Sequence, residues 1–418
     1  MKVGREVAVA VRAVDAPQHR HGVAGVVMFG VLLGSYVVNA MDRQLFPLVA
    51  PEVRGEYGFS LAGAGLLSTV FTLGMAVAGV PTGFLLARFS RRAVLQTGIA
   101  LFSAGTALTV ASRGFADMLV YRTVTGIGEA MQLTVLLAIA ANYFAGYRAA
   151  ALGAVNFSFA VGAIIGPMLG GVLLGAYGTW RVPMVVFAVL GFAAMAAIAA
   201  GVDSSCTERD GAVTTAASDG GAATLGNRNT ILLTAMSLLG GLVIYGYLGL
   251  YPTFLREGLG YSPQSAGSVM GIYGLGALMS IAGGWIGDRG SPRFVLSAAF
   301  LAAAMLGYLL FNGSGSYYWQ AALSFAWGVV VSGVVYVNLA GYHVKAVQRD
   351  LAERASGVFV TSLYLSAAVA GYLMGWIANR AGWAVAGTIQ ISLCALVAAA
   401  LALALRPTDR RGRPFRLR

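Results

Sequence analysis

Runs of about 20 mostly apolar residues recur along the whole 418-residue chain, separated by short polar stretches. A helix of about 20 such residues crosses a hydrocarbon core of about 30 Å. Inside hydrocarbon the backbone must satisfy its own N–H and C=O groups, which leaves helices or closed barrels as the available forms. The pattern predicts an all-α polytopic membrane protein with twelve spans, at 22–50, 61–86, 93–112, 116–143, 149–175, 181–202, 229–255, 264–287, 294–312, 317–342, 355–378 and 382–405. Composition points the same way: 58% of residues are hydrophobic and 11% charged. Soluble domains carry about 25% charged residues, so a water-soluble fold of this size would leave much apolar surface uncovered.

The formal net charge is +12, a value that by itself fits nucleic acid. The placement of the cations argues otherwise. Arg88, Arg91 and Arg92, then Arg148, Arg209 and Arg228, Arg289 and Arg293, Lys345, Arg349 and Arg354 fall in alternate loops. Arg406, Arg410, Arg411, Arg413, Arg416 and Arg418 fill the C-terminal tail, and the opposite loops hold only Arg54, Arg113, Arg181, Arg256 and Arg380. Basic loops stay in the cytoplasm, so both termini are expected there, with the plasma (inner) membrane as the location, a lipid surround and no nucleic-acid partner. Residues 1–21 read as a soluble cytoplasmic tail, because the first apolar run is long and lacks a small-residue cleavage pattern. Cys206 and Cys394, in a loop and in the last span, predict neither a disulfide nor a metal site. There is no Gly-x-x-x-x-Gly-Lys-Ser/Thr loop, no large soluble domain and no catalytic cluster. Neither an enzyme nor an ATP-driven pump is expected.

Residues 203–228 are rich in Ser, Thr, Gly, Ala and Asp and show no periodicity, which predicts a flexible cytoplasmic linker. It would join an N-terminal bundle at 22–202 to a C-terminal bundle at 229–405, with 406–418 a basic tail. The loop after the second span, Gly83-Phe84-Leu85-Leu86-Ala87-Arg88-Phe89-Ser90-Arg91-Arg92-Ala93-Val94-Leu95, is echoed after the eighth by Gly284-Trp285-Ile286-Gly287-Asp288-Arg289-Gly290-Ser291-Pro292-Arg293-Phe294-Val295-Leu296. Gly, Arg, Ser, Arg, Val and Leu match at a constant offset. Repeated six-span halves are a common transporter plan, with the substrate site at midplane between them.

Four formal charges lie deep in the predicted spans: Asp42 and Arg43 in the first, Arg122 and Glu129 in the fourth. Each costs about 2.5–3.5 kcal/mol on insertion scales, and such residues usually face a polar cavity. Arg122 and Glu129 are two helical turns apart, on one face and about 10 Å apart along the axis. Counting from Glu52 and Asp117 at the outer surface, Asp42 and Glu129 lie about 15 and 18 Å deep, close to midplane. Two readings stand side by side. Asp42-Arg43 either ends a short first span or lines a chamber; Glu129 is either half of a structural ion pair with Arg122 or Arg43, or a functional carboxylate.

The loop repeats resemble the Gly-x-Leu-x-Asp-Arg-x-Gly-Arg-Arg signature of the major facilitator superfamily, and the resemblance covers essentially the whole chain. It implies two pseudo-symmetric six-helix bundles working by alternating access. The first copy has Ala87 in place of the acid and Ser90 in place of the second glycine, whereas the second keeps Asp288. The acid pairs with basic residues to hold the outward-open state in that family, so Arg88, Arg92, Asp288 and Arg289 are gating candidates, with the first copy weakened. Asn39-Ala40-Met41-Asp42-Arg43, with Arg122-x-x-x-Gly126-x-Gly128-Glu129-Ala130, is similar to two branches, the proton-coupled organic anion symporters and the Spinster-like lipid transporters. The resemblance implies proton coupling at Asp42 and Glu129 and roles for Arg43 and Arg122.

Burial in a low-dielectric cavity favours the neutral form of a carboxyl group, and a guanidinium beside it favours the charged form. An arginine that exchanges partners between a carboxylate and an anionic substrate therefore couples binding to protonation. The expectation is a proton-driven secondary transporter of a small organic anion, needing no cofactor beyond the proton gradient and acting as a monomer. The alternative is a Spinster-like or multidrug proton antiporter exporting lysolipids or other amphipathic compounds. Asn39, Asn156, Tyr245, Tyr273, Asn338 and Ser362 join the two arginines as substrate-binding candidates. Gly162-x-x-x-Gly166-Pro167-x-x-Gly170-Gly171 permits close packing, with Pro167 bending the helix. It also resembles the antiporter motif of the superfamily's exporters, which adds Gly166 and Pro167 to the gating candidates.

Overall fold

The computed structural model describes residues 23–144, 147–207, 221–348 and 351–406. The expectations for the N-terminal tail, for the C-terminal tail beyond Arg406 and for residues 208–220, half of the linker, lie outside them. Among the described residues, twelve helices are long and apolar enough to cross a membrane. They are α1 (Ala24–Tyr57), α2 (Leu61–Gly79), α3 (Arg91–Val110), α4 (Phe115–Tyr143), α5 (Ala150–Tyr177), α6 (Arg181–Gly201), α7 (Arg228–Gly258), α8 (Pro263–Arg289), α9 (Pro292–Asn312), α10 (Tyr317–Lys345), α11 (Arg354–Ala381) and α12 (Trp383–Leu403). The helical path of α2 breaks at Val70 and runs on to Leu86. No strand forms among the described residues, only an isolated bridge between Ala222 and Val347.

The twelve expected spans are found, and one differs clearly in length. The first helix does not stop near residue 50 but continues through Pro47 and Pro51 to Tyr57. Proline at position 51 frees the carbonyl four residues back, and Thr253 Oγ1 of α7 approaches that Pro47 oxygen at 3.4 Å. Membrane helices tolerate proline when a neighbour re-satisfies the backbone in this way. The polar end of α1 is equally well partnered. Glu52 pairs with Arg256 at 2.5 Å, Arg54 with Glu257 at 2.5 Å and Glu56 with Arg181 at 2.6 Å.

The duplication read from the loops extends to the turns. Gly58 and Gly260, which close α1 and α7, sit at φ +70° and +71°, a left-handed conformation that favours glycine. Two residues later Ser60 and Ser262 cap the next helices, accepting from the Gly63 and Ser265 amides. Gly178 and Gly382, at φ +66° and +85°, close α5 and α11.

Helices α1–α6 and α7–α12 form the two halves. They meet where α1 packs on α7, α2 on α11 and α5 on α8, all toward the end poor in basic residues. There the approach is backbone on backbone. A Cβ on Gly65 would fall on the Gly371 carbonyl and one on Gly371 on the Gly65 carbonyl; Gly267 stands likewise against the Pro167 carbonyl and Gly171 against that of Pro263. Toward the basic end the halves part. Gly79 and Gly83 on the α2 path, Gly153 on α5, Gly341 on α10 and Gly357 on α11 have nothing within 4 Å of a Cβ position.

Candidate functional site: crossed charges at the interface of the halves

Asp42, Arg43, Arg122 and Glu129 are all buried, with relative exposures of 1%, 5%, 0% and 0%. Sequence placed Arg122 and Glu129 on one face of α4; in the structure each reaches across to α1. Arg43 Nε lies 3.1 Å from Glu129 Oε2, off the line of an N–H, so the pair is ionic without an aligned hydrogen bond. Arg122 Nη1 lies 3.9 Å from Asp42 Oδ2. The Arg122 side chain is held by Leu67 O, 3.5 Å from its Nε, and by the faces of Phe46 and Phe71 with centroids at 4.8 and 5.4 Å.

Local sequence sets this depth. A Cβ on Gly126 would fall on the Phe71 carbonyl of α2 and one on Gly128 on the Gly98 carbonyl of α3. Only glycine lets α4 sit so deep, and that seat carries Arg122 and Glu129 inward. Three polar neighbours then fix α1 against α4. Asn39 Nδ2 donates to Gln132 Oε1 at 2.7 Å and to the Glu129 carbonyl at 3.4 Å, and Gln132 Nε2 donates to Ser35 Oγ at 3.0 Å. From α3, Thr106 Oγ1 stands 2.9 Å from both Asp42 oxygens and donates its one hydrogen there.

Arg43 is the member of the four that reaches the interface. With Gln44, Pro47, Ser68, Phe71 and Phe159 it faces Tyr245, Leu248 and Gly249 of α7 across a cavity of about 20 Å³, room for one water. Its Nη2 is shielded from solvent and has no hydrogen-bond partner, as is true of Glu129 Oε1. The rings of Tyr36 and Phe159 flank the guanidinium at 5.9 Å. Behind Tyr245 stands Tyr364, with ring centroids 6.0 Å apart, and the Tyr364 hydroxyl meets that of Tyr336 at 3.4 Å.

The remaining candidates are dispersed. Arg122 and Asn39 stand behind the cavity wall as supports. Tyr273 is buried in the second half with its hydroxyl 2.7 Å from Ser332 Oγ. Asn338 ties α10 to α8 through the Gly283 carbonyl at 3.0 Å, Ser362 donates to its own helix at Phe359 O, and Asn156 is exposed on α5. Among the gating candidates, Gly166 packs on the Met41 backbone and the Pro167 carbonyl abuts Gly267 of α8. Arg92 donates to Ala199 O at 2.6 Å and Asp288 pairs with Lys345 at 2.6 Å, both within one half. Arg289 lies over the Trp285 ring at 4.0 Å, and Arg88 is exposed. Sequence reasoning missed Thr106, Gln132, Tyr36 and Phe159. A signal existed for two of them: Gln132 lies one helical turn past Glu129, and Thr106 sits in a buried Ser103–Thr106–Thr109 stripe.

Two pseudo-repeated six-helix bundles, joined at one end and enclosing an arginine-lined cavity, define a polytopic membrane protein on the plan of repeated six-span halves. Residues 32–371 match the model of the Major Facilitator Superfamily, and the chain belongs to that family. It is 31% identical over 171 residues to the sphingosine-1-phosphate transporter SPNS2 of Xenopus tropicalis, a match covering 40% of this chain and 33% of the relative's length. It is 25% identical to the putative multidrug resistance protein MdtD of Cronobacter sakazakii, over 86% of this chain and 88% of that protein. In fold it is similar to a bacterial homologue of the human lysosomal transporter Spinster, solved in an inward-facing and occupied conformation. That likeness has a TM-score of 0.73 at 17% identity, covering 90% of this chain and 95% of that one.

Proposed function

We propose that this transporter is proton-coupled and moves a small organic anion across the inner membrane by alternating access, as a monomer. The observation that carries the reading is the Arg43–Glu129 pair: buried, crossing from α1 to α4, incompletely hydrogen-bonded and set at the wall between the halves. As the halves part and the cavity widens, an entering anion completes the hydrogen bonding of the Arg43 guanidinium and draws it from Glu129. A carboxylate so deprived of its counter-charge in a buried site binds a proton, and the pair re-forms when the anion leaves. Asp42, held by Arg122 and Thr106, is the second proton carrier, coupled to the first through adjacent positions on α1. With the basic loops cytoplasmic, the parted end faces the cytoplasm and the glycine seam closes the outside.

Neutralising the carboxylate separates the two functions. Glu129→Gln is expected to abolish proton-driven accumulation in proteoliposomes while one-for-one substrate exchange persists. Accumulation undiminished by the change overturns the coupling role.

Export of amphipathic compounds by proton antiport is the second reading, favoured by the names of the two relatives and by the apolar wall of Phe71, Phe159 and Leu248. Counterflow with a labelled monocarboxylate, set beside lysolipid or dye efflux, separates the two.

A further inference from the structure

A second site lies at the basic end of the C-terminal half, away from the charge cluster. Asn229, Leu233, Pro292, Tyr342, Lys345, Ala346, Leu405 and Arg406 line a pocket of about 50 Å³ among the ends of α7, α9, α10 and α12. About 10–15 Å³ holds one water, so several waters or one phosphate group fit.

The duplication shows what is unusual about it. At the matching end of the N-terminal half, 202 residues earlier, Tyr143 and Phe144 occupy the positions of Lys345 and Ala346. Those rings pack there, with Phe144 4.7 Å from Phe29 and 4.9 Å from Tyr143. The chain leaving α6 then folds in as the short helix Ser204–Thr207. Cys206 is fully buried in it, Arg91 donates to Thr207 O at 3.3 Å, and the Asp203 amide reaches Met28 Sδ at 3.2 Å. The first half thus fills this end with its own aromatic rings and its own chain. The second half puts a cation and a methyl where the rings stood.

The charge of the pocket selects its occupant. Lys345 and Arg406 line it, Arg228 is anchored beside it on Ala404 O at 3.1 Å, and Arg293 follows the lining Pro292 with its Nε buried and unpartnered. Asp288, paired with Lys345 at 2.6 Å, is the one acid in contact with a lining cation among the described residues. Leu233, Ala346 and Leu405 make an apolar floor. A cationic rim over an apolar floor, at the level where the helices leave the membrane, matches a phosphate carried on a glycerol backbone. Basic pockets between membrane helices hold anionic headgroups by this chemistry.

We infer that this pocket binds the phosphate of an anionic phospholipid, taken from the leaflet at the basic face, where the N-terminal half has a filled core instead. The purified full-length protein, equilibrated with mixed micelles of phosphatidylglycerol and phosphatidylcholine and weighed by native mass spectrometry, is expected to retain the anionic lipid. Lys345→Gln with Arg406→Gln should lower that preference by about fivefold per cation removed, while Arg88→Gln, an exposed cation of the same face in the other half, leaves it intact. Ala346→Phe keeps both charges, restores the ring of the first half, and should abolish retention by occupying the space, so the test survives if the double variant folds poorly. Displacement of the lipid by millimolar inorganic phosphate supports the pocket with soluble phosphate as a second source; resistance to it confines the ligand to lipid. An unchanged preference in both pocket variants, or an equal loss in Arg88→Gln, overturns the inference.

Discussion

The central residues work as two ion pairs of unequal exposure to the transport path. Arg43 opens on the cavity between the halves, whereas Arg122 is sealed behind Phe46 and Phe71 and serves Asp42. Removing one partner of a buried pair leaves an uncompensated charge and costs about 3–5 kcal/mol. Arg122→Gln should therefore lower the melting temperature sharply, and adding Asp42→Asn should restore part of the loss; a double variant no more stable than the single one would show that the two do not form a unit. Arg43→Gln should act mainly on affinity, weakening anion binding by tenfold or more if the charge-assisted hydrogen bonds are worth about 1.5–3 kcal/mol, as isothermal titration would read. The four charges were legible in the sequence because an ionised group inside an apolar run is costly and demands a reason. Their pairing was not: spacing along α4 sets Arg122 and Glu129 on one face but says nothing of α1 crossing that face. Thr106 and Gln132 carry no such cost, so their one signal is spacing, Gln132 a turn past Glu129 and Thr106 within a Ser103–Thr106–Thr109 stripe, and hydroxyls and amides in membrane helices often bond their own backbone.

Among the elements, α1 and α7 show how far the halves mirror one another. Arg54 and Arg256 occupy equivalent positions, and each reaches over to an acid on the other helix, Glu257 and Glu52. Span positions were read well from hydropathy, yet the length of α1 was not. Glu52, Arg54 and Glu56 look like the water-exposed end of a helix, and only partners supplied by α6 and α7 let the helix carry them on to Tyr57. The two cross-half pairs have side chains between 13% and 33% exposed, so each contributes up to about 1 kcal/mol. Glu52→Gln with Glu257→Gln should shift the balance toward opening at the basic-poor end by up to about thirtyfold. A single cysteine at Ser68, in a chain with Cys206 and Cys394 replaced by serine, reports this as faster labelling by an impermeant maleimide from that side. No change in rate would mean the pairs do not hold that end.

At the scale of the whole molecule the structure is a hinged pair of bundles, closed at the basic-poor end and parted at the other. The family was legible from the loop repeat. The conformation was not, because Gly162, Gly166, Gly170 and Gly171 could as easily serve packing within a half, and only coordinates show Gly171 touching Pro263 of the other. Gly371→Leu places a side chain where the Gly65 carbonyl stands, and should trap the protein with its basic-poor end ajar, giving rapid Ser68→Cys labelling and little net transport. Wild-type transport in that variant would show that the seam is not required to shut. Where the seam joins peptide to peptide, as at Gly65 with Gly371 and Gly171 with Pro263, its separation wets amide groups that water solvates readily. Parting those stretches therefore costs less than pulling apart interlocked side chains, the physical condition for a seam that can open and close again.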